Sequence, residues 1–347
     1  MSVVEPYEPI TDRDVRWGVI GPGRIAEGVM SDLAQVSGGV LHAVASRSGE
    51  RANDFAERYG APVSYDSYTE LLADDDVDVV YIATPHRQHH GIALAGIEAG
   101  KHLLVEKAFT TTLAGTQQVV EAARAKGVFV MEAMWTRFQP AVVRTRELIA
   151  EGAIGEVRTV RADLGLKAPF DESDRLWDWA QGGGALLDLG VYPVSWLQMI
   201  LGGQPESIEV AGSLGPNGVD AESTVLWRGD DGRHGVGSCS LLSPLPGRAA
   251  IFGTDGWIEV PPPFHHATRL VVHGPVADRS TTETKEIELP STGTGYAHEL
   301  AEVHRCVAAG LTESPTIPLE DTVTVMAVLE TALHALGAQH DEDPAAI

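Results

Sequence analysis

The chain has 347 residues, of which 44% are hydrophobic and 21% charged, and this composition predicts a packed protein of two domains. Its formal net charge of −24 excludes nucleic acid and anionic membranes as electrostatic partners, because their phosphates would repel the protein. Cys239 and Cys306 are far apart without a CxxC motif, and no apolar run reaches membrane-spanning length, so we expect a cytoplasmic protein without a disulfide framework or zinc knuckle.

The first third of the chain alternates short apolar runs with segments of helical apolar spacing. The apolar runs predict strands at residues 15–20, 40–45, 77–83, 102–105 and 128–132. The segments between them predict helices at residues 24–36, 50–59, 88–99 and 112–126. This order is typical of a doubly wound parallel sheet, so we predict an α/β N-terminal Rossmann domain over residues 14–134, with ligand sites beyond the carboxyl ends of its strands.

The rest of the chain follows a different pattern. Alternating segments separated by Pro, Gly and Asp predict strands at residues 156–166, 207–214, 223–227, 234–242, 249–252, 257–260, 269–272 and 284–289. Helices are predicted at residues 141–150, 185–201, 298–309 and 319–336. We therefore predict an α+β C-terminal domain over residues 135–338, with an open, mainly antiparallel sheet and a role in substrate binding.

A glycine-rich segment lies between the first predicted strand and the first predicted helix. It reads Gly21-Pro22-Gly23-Arg24-Ile25-Ala26. The first glycine permits a tight turn, the second lets the backbone approach a pyrophosphate, and the small alanine lets the helix pack on the strand. The helix N-terminus offers backbone N–H groups to the phosphates. The segment therefore predicts a dinucleotide cofactor held at Gly21, Gly23, Arg24 and Ile25.

The end of the second predicted strand bears on which cofactor binds. An NAD-binding domain usually carries an acidic residue there, about 20 residues after the glycines, to hold the ribose 2′-hydroxyl. This chain instead has Ser46 and Arg47, and a guanidinium beside hydroxyl groups suits a 2′-phosphate. We predict NADP as the cofactor, with NAD as the alternative. The alternative interpretation of Arg47 is a solvated loop charge.

Two polar segments follow later strands of the predicted parallel sheet, where such sheets bind their ligands. Thr84, Pro85 and His89 come after the strand at residues 77–83, and Glu106-Lys107 comes directly after the strand at residues 102–105. We predict that both segments contribute to the cofactor site. A lysine in this position is otherwise most often a solvated loop charge.

Asp188 and Tyr192 are four residues apart in a predicted helix, so we expect them on one helical face. With Lys107 they form a candidate catalytic group, because oxidation of an alcohol needs a base for the hydroxyl proton. A nearby ammonium lowers the pKa of a phenol, about 10 when unperturbed, toward neutral pH. Asp188 would accept a hydrogen bond from a substrate hydroxyl or hold Lys107 in place. The alternative for Tyr192 is an ordinary place in the core.

Three histidines, His86, His89 and His90, have a spacing that raises the question of a metal site. No carboxylate or cysteine nearby completes a ligand set, so we predict no metal. The preferred interpretation is a group of polar residues at a helix start near the nicotinamide.

Together these motifs resemble the glucose–fructose oxidoreductase/inositol dehydrogenase family. They are the N-terminal GxGxxA, Thr84-Pro85-x-x-x-His89, Ala99-Gly100-Lys101-His102 and Glu106-Lys107. Residues 131–138, 182–192 and 313–319 are similar to one branch, that of dimeric dihydrodiol dehydrogenase and NADP-dependent D-xylose dehydrogenase. The resemblance covers nearly the whole chain, from residue 15 to about residue 336.

The resemblance implies an NADP(H)-dependent oxidoreductase that transfers a hydride to or from a hydroxyl-bearing carbon of a small sugar, polyol or trans-dihydrodiol. It makes Lys107 the lysine of the family's Glu-Lys-Pro motif and Tyr192 the acid–base residue. It also implies dimerisation through the open sheet, giving a homodimer or a dimer of dimers. The residues that it places around the substrate pocket are Trp135, Arg137, Phe138 and Trp177, and for the tryptophan at 177 the alternative is ordinary core packing.

The chain departs from the family pattern at two positions. Ala108 replaces the proline after Lys107, so the backbone restriction of proline is absent there, and His86 stands where many relatives have asparagine. Two alternatives to an enzyme are a catalytically silent NADP-binding regulator of the same fold and an acidic scaffold protein. The presence of Lys107 with Asp188 and Tyr192 disfavours the first, and the glycine-rich segment disfavours the second.

Overall fold

The computed structural model describes residues 13–278, 281–343 and 345–347 and divides into two compact units. The first unit comprises the chain up to Trp135 together with Thr292–Leu319 and Glu342–Ile347, and the second comprises Thr136–Ser291 and Glu320–Asp341. The division after Trp135 lies within one residue of the predicted domain boundary. Residues 292–319 pack with the first unit, whereas the sequence pattern places them in the second domain.

Within the described residues, the first unit is built on a six-stranded parallel sheet. Its strands are β1 (Val15–Ile20), β2 (Gly39–Ala45), β3 (Val63–Tyr65), β4 (Val79–Ile82), β5 (His102–Glu106) and β6 (Val130–Ala133). The spatial order β3-β2-β1-β4-β5-β6 confirms the predicted Rossmann fold. Every residue of β4 is buried, which explains why the central strands are continuous apolar runs. The sequence does not predict β3, because three residues are too few to show a periodicity.

Helices connect these strands, and local capping explains where they begin and end. They are α1 (Arg24–Leu33), α2 (Gly49–Tyr59), α3 (Tyr68–Leu72), α4 (His86–Glu98) and α5 (Leu113–Lys126). The α2 helix begins where the hydroxyl of Ser48 accepts a hydrogen bond from the N–H of Arg51, and it ends at Gly60, whose φ of 75° is left-handed. Thr112 and Gly127 mark the two ends of α5 in the same way.

The described part of the second unit is built on an eight-stranded mixed sheet. Its strands are β7 (Val157–Gly165), β8 (Ser207–Leu214), β9 (Asp220–Arg228), β10 (His234–Ser240), β11 (Ala249–Gly253), β12 (Trp257–Val260), β13 (Arg269–Asp278) and β14 (Thr281–Glu288). Their spatial order is β14-β13-β12-β11-β7-β10-β9-β8, with β7 and β10 parallel and the other neighbouring pairs antiparallel. This arrangement confirms the predicted, mainly antiparallel sheet.

The helices α6 (Pro140–Ala150) and α7 (Val191–Leu201) lie in the second unit, as does nearly all of the last helix, and α7 packs on β7 and β10. The sequence predicts one regular helix over residues 185–201, whereas a π-helical turn, Leu186–Gly190, precedes α7. The stretch Trp179–Leu201 is long and apolar enough to cross a membrane, which corrects our expectation that no run reaches this length. Because most of this stretch is buried inside the structure, it has the burial of a core helix.

The last two helices are α8 (Ala297–Ala308) and α9 (Leu319–Leu336). The start of α8 is fixed within the first unit by Asp32 on α1. The Asp32 carboxylate is buried and accepts hydrogen bonds from the N–H groups of Thr294, Tyr296 and Ala297, at 2.8 to 3.2 Å. A carboxylate at a helix N-terminus satisfies unpaired N–H groups and interacts favourably with the helix dipole. This contact joins residues 262 positions apart, so the local sequence gives no sign of it.

Candidate functional site

The two glycines of the loop between β1 and α1 serve different purposes. Gly21 has a φ of 88°, and a Cβ atom there would lie 2.8 Å from the carbonyl oxygen of Ala83. At Gly23 the nearest heavy atom would be 4.0 Å from an added Cβ, so there is open space beside this residue. Arg24 and Ile25 form the first turn of α1. Gly21 is therefore required by the protein's own packing, and Gly23 leaves the space that a phosphate needs at a helix N-terminus.

The loop after β4 contains Thr84 and Pro85 and leads into α4. The Thr84 hydroxyl oxygen is buried and has no hydrogen-bond partner among the residues that the structure describes. Such a buried polar atom costs about 1–3 kcal/mol unless a bound group satisfies it. The unpartnered hydroxyl and the open space at Gly23 both fit a dinucleotide, so the residues present suit the cofactor that the motif implies. That cofactor, when bound, supplies or accepts the hydride at its nicotinamide.

His89 holds together the loops that follow β4 and β5. One of its ring nitrogens lies 2.8 Å from the carbonyl oxygen of Thr84, and the other lies 3.0 Å from that of Ala108. Burial lowers the pKa of His89, while these two carbonyl oxygens act in the opposite direction. Because both nitrogens contact backbone oxygens, His89 supports the two loops and has no nitrogen left to bind a metal.

Ser46 and Arg47 follow the carboxyl end of β2. Ser46 is buried and its hydroxyl accepts a hydrogen bond from the N–H of Ser48 at 3.3 Å, whereas Arg47 is exposed. Burial raises the pKa of Tyr68, and both Arg47 and Arg51 oppose that rise. Two guanidinium groups therefore lie near one phenol beyond β2. Arg47 belongs to the motif after β2, whereas Arg51, in the first turn of α2, belongs to no motif and was not predicted.

The Glu106-Lys107 pair ends β5, and the peptide bond between Lys107 and Ala108 is cis. The buried Glu106 carboxylate accepts hydrogen bonds from the Tyr81 hydroxyl and, at 3.2 Å, from the backbone N–H of Lys107. Burial raises the pKa of Tyr81 well above its usual value, and the charge of Glu106 raises it further. The phenol therefore keeps its proton and donates a hydrogen bond to Glu106. These two hydrogen bonds fix the Glu106 side chain against the start of the loop that carries Lys107.

A second buried glutamate lies near Glu106, and no sequence motif identifies it. Glu299 on α8 is 0% exposed, and neither of its carboxylate oxygens has a hydrogen-bond partner in the described part of the chain. Burial raises its pKa well above the usual value, and the charges of Glu106 and Asp32 raise it further. Burial and two like charges therefore both favour the protonated form of the Glu299 carboxyl group.

One continuous helical stretch of the second unit carries Asp188 and Tyr192. Asp188 lies in the π-helical turn Leu186–Gly190, and Tyr192 lies in the first turn of α7. Single π-helical turns occur frequently at functional sites. Asp188 accepts a hydrogen bond from Arg175 at 2.9 Å, and the Tyr192 ring centroid is 5.2 Å from that of His265. Arg175 and His265 belong to no sequence motif, which is why the sequence analysis missed both.

The predicted site residues thus form two groups. The first unit contains the glycine-rich loop, the residues after β2 and β4, and Lys107, whereas the second unit contains Asp188 and Tyr192. The joint acid–base role of these last three residues stays a prediction.

The predicted pocket residues have different surroundings. Trp135 is in the first unit and stacks on Tyr296, with ring centroids 4.3 Å apart. Phe138 and Trp177 are in the second unit and are buried. Trp177 is 0% exposed and packs edge to face with Phe170, with ring centroids 5.4 Å apart. The place of Trp177 in a substrate pocket stays a prediction, beside the alternative of core packing.

Arg137, which the resemblance places in the pocket, makes a closed network inside the second unit. Its guanidinium is 2% exposed and donates to Asp321 at 2.6 Å, to Gln198 at 2.6 Å and to the Ser195 hydroxyl at 3.2 Å. The Gln198 amide also donates to Asp321, at 2.8 Å. All three guanidinium nitrogens therefore have protein acceptors, and contact of Arg137 with a substrate stays a prediction.

Among the described residues, one group has the geometry of three metal ligands, His42, Asp74 and Asp76, and it is separate from the predicted histidine cluster. Its members already have protein partners. Asp74 accepts hydrogen bonds from Tyr65 and from the N–H of Asp76, and Asp76 pairs with Arg16. These contacts describe a surface hydrogen-bond network, so we assign no metal to it.

Family models match both parts of the chain. Residues 15–134 match the model described as an oxidoreductase family with an NAD-binding Rossmann fold, and residues 142–259 match the GFO/IDH/MocA C-terminal domain. The chain is 39% identical over 343 residues to trans-1,2-dihydrobenzene-1,2-diol dehydrogenase of Mus musculus, covering 95% of this chain and 99% of that protein. It is 36% identical over 341 residues to the Homo sapiens protein of the same name, with the same coverage.

Solved structures of similar fold include two oxidoreductases. KijD10, a 3-ketoreductase from Actinomadura kijaniata in complex with NADP and TDP-benzene, is 26% identical and superimposes with a TM-score of 0.81 over 96% of this chain and 100% of that one. Levoglucosan dehydrogenase in complex with NADH and L-sorbose has a TM-score of 0.84 over 94% of this chain and 97% of that one. At 22% identity this second likeness concerns the fold alone. The family models and the dihydrodiol dehydrogenases confirm the resemblance inferred from the motifs.

Proposed function

The chain belongs to the GFO/IDH/MocA oxidoreductase family, and on this premise we propose that it is an NADP(H)-dependent dehydrogenase for a small sugar, polyol or trans-dihydrodiol. The observation that carries this assignment is similarity to dihydrodiol dehydrogenases over 95% of the chain, which includes both the nucleotide loop and the helix of Asp188 and Tyr192. The enzyme class, an NAD(P)-dependent dehydrogenase acting on CH–OH groups, is confirmed by these relatives. None of the observations favours the catalytically silent alternative.

In the proposed reaction, Tyr192 exchanges the proton of the substrate hydroxyl. Lys107 favours the phenolate form of Tyr192 through its positive charge. Asp188, which is held by Arg175, accepts a hydrogen bond from a substrate hydroxyl and so orients the reacting carbon. A bound nicotinamide cofactor would supply or accept the hydride at this carbon.

The choice of NADP over NAD rests on the basic surroundings of Tyr68. Arg47 and Arg51 both lie close enough to affect its pKa, and β2 is followed by Ser46 and not by an acidic residue. Guanidinium groups bind phosphate with charge-assisted hydrogen bonds worth about 1.5–3 kcal/mol each. We therefore expect Arg47→Ala to lower kcat/KM for NADP(H) by about 10- to 100-fold and to leave the value for NAD(H) unchanged.

Arg58→Ala is the matched control for that experiment, because Arg58 is also exposed on α2 but pairs with Glu27. A kcat/KM for NAD(H) above that for NADP(H) in the unmodified enzyme would refute the choice of NADP.

We also propose a cytoplasmic homodimer or dimer of dimers. The cytoplasmic assignment is supported by two cysteines that are both buried and unbridged. The dimer is supported by the resemblance to a dimeric branch and by the large open sheet of the second unit. Sedimentation at micromolar protein concentration tests the assembly, and a monomer there would contradict it.

The decisive experiment follows absorbance at 340 nm with sugars, polyols, trans-dihydrodiols and dicarbonyls as substrates and with both cofactors. We expect NADP-dependent turnover that falls at least 100-fold in Tyr192→Phe, because the acid–base group is lost. Fluorescence titration with NADPH is the control, and the variant should bind it as the unmodified enzyme does. Tight NADPH binding without turnover of any substrate would refute the proposed function.

A further inference from the structure

Asp220, the first residue of β9, has a buried carboxylate at the start of the helical stretch that carries Asp188 and Tyr192. Its side chain is 0% exposed, and one carboxylate oxygen accepts a hydrogen bond from the backbone N–H of Leu186 at 2.6 Å. Leu186 is the first residue of the π-helical turn that contains Asp188. Asp220 therefore provides the acceptor that the first N–H groups of this helical stretch lack within the helix.

The backbone beside this carboxylate is shaped to receive it. Gly184 has a φ of 130°, and a Cβ atom at this position would lie 2.1 Å from the second carboxylate oxygen of Asp220. That oxygen has no hydrogen-bond partner among the described residues. The glycine segment, the carboxylate and the helix start are therefore packed in direct contact, so loss of the Asp220 carboxyl group acts directly on the start of the helix.

Two opposing effects determine the pKa of the Asp220 carboxyl group. Burial raises its pKa to about 7, against backbone N–H groups that lower it, among them that of Leu186. The titratable groups on the neighbouring elements are Cys239 on β10, whose own pKa is raised by burial and by Asp220, and Glu222 on β9, which also acts on Cys239. Asp188 lies within the π-helical turn itself. The ionised carboxylate makes the stronger hydrogen bond to Leu186, because a charged acceptor is about twice as strong as a neutral one.

We propose that Asp220 is a positioning residue, which acts through the Leu186 N–H to set the placement of Asp188 and Tyr192 for the reaction. This inference rests on the proposed function, since it concerns residues with a proposed catalytic role. Asp220 lies in the second unit and the glycine-rich nucleotide loop in the first. A defect at Asp220 should therefore lower kcat without changing NADPH binding.

Two substitutions separate the hydrogen bond from the charge. Asp220→Asn keeps an acceptor oxygen for Leu186 but cannot ionise, whereas Asp220→Ala removes the acceptor. We expect Asp220→Ala to lower kcat by about 10- to 100-fold, the size of effect that a displacement of about 1 Å produces. The Kd for NADPH, from fluorescence titration, should stay within twofold. Asp231→Asn is the matched control, because Asp231 is exposed and also accepts a backbone N–H, from Arg233.

The distinguishing measurement is kcat from pH 5.5 to 9 with the best substrate of the panel. The unmodified enzyme should lose activity as the pH falls through about 7, where Asp220 takes up its proton. Asp220→Asn should lack this step and keep the ionisations of the other groups. An Asp220→Asn variant with the same step would overturn the inference, even where Asp220→Ala does not fold. Absence of turnover in the unmodified enzyme would instead refute the proposed function, and the inference with it.

Discussion

The buried network of Arg137 predicts that loss of its carboxylate partner destabilises the protein. The guanidinium is 2% exposed, and Asp321 is its carboxylate partner at 2.6 Å. Asp321→Ala leaves a buried positive charge without that partner, and breaking a buried ion pair in this way costs about 3–5 kcal/mol. Because 26% of the Asp321 side chain is exposed, water can partly replace the missing carboxylate in the variant. We therefore expect a loss of unfolding free energy at the lower end of this range, about 3 kcal/mol. For a unit of this size the cost corresponds to a fall in Tm of about 6–12 °C.

Tryptophan fluorescence during heating is a suitable assay, because the second unit contains five of the seven tryptophans. Glu151→Ala is the matched control, since it breaks the exposed pair of Glu151 with Arg144 and should hardly change Tm. If Asp321→Ala and Glu151→Ala lower Tm equally, Arg137 does not depend on its carboxylate partner and the reasoning is wrong.

Three further predictions concern other buried groups. Burial raises the pKa of Cys306 to about 12 and that of Cys239 well above its usual value. Neither thiol should therefore react with a thiol reagent at pH 8 until the protein is unfolded. Rapid labelling of the native protein would contradict this. Burial lowers the pKa of His304 from 6.5 to about 4, and its neutral ring accepts a hydrogen bond from Trp17. The lowered pKa adds about 3 kcal/mol to the free energy of unfolding above pH 6.5, and this stabilisation is lost as the pH falls to 4. His304→Gln should therefore flatten the dependence of unfolding free energy on pH in that window, as measured by urea denaturation, and an unchanged slope would exclude His304 as the cause. Asp32→Ala should destabilise the protein by about 2 kcal/mol and speed hydrogen exchange at the start of α8, because three N–H groups lose their acceptor.

The sequence alone determines the Rossmann domain and its nucleotide loop. Strands buried on both faces require continuous apolar runs, and helices between them require a periodicity of 3.6, so local patterns carry the topology of this domain. The glycine pattern of the loop is also a local signal, because the loop is only a few residues long, whereas the contact of Gly21 with Ala83 is tertiary. Arg47 is identifiable for the same reason, since the end of β2 has a fixed distance from the glycines.

Only the tertiary structure decides how distant residues meet. Asp32 caps a helix that begins 265 positions later, Glu299 is buried near Glu106, and Asp220 accepts a hydrogen bond from Leu186, which is 34 positions earlier. No periodicity encodes such contacts, because they depend on which side chains the folded backbone brings together. A buried carboxylate and a solvated one have the same letter in the sequence, and their protonation differs only because burial removes water from one of them.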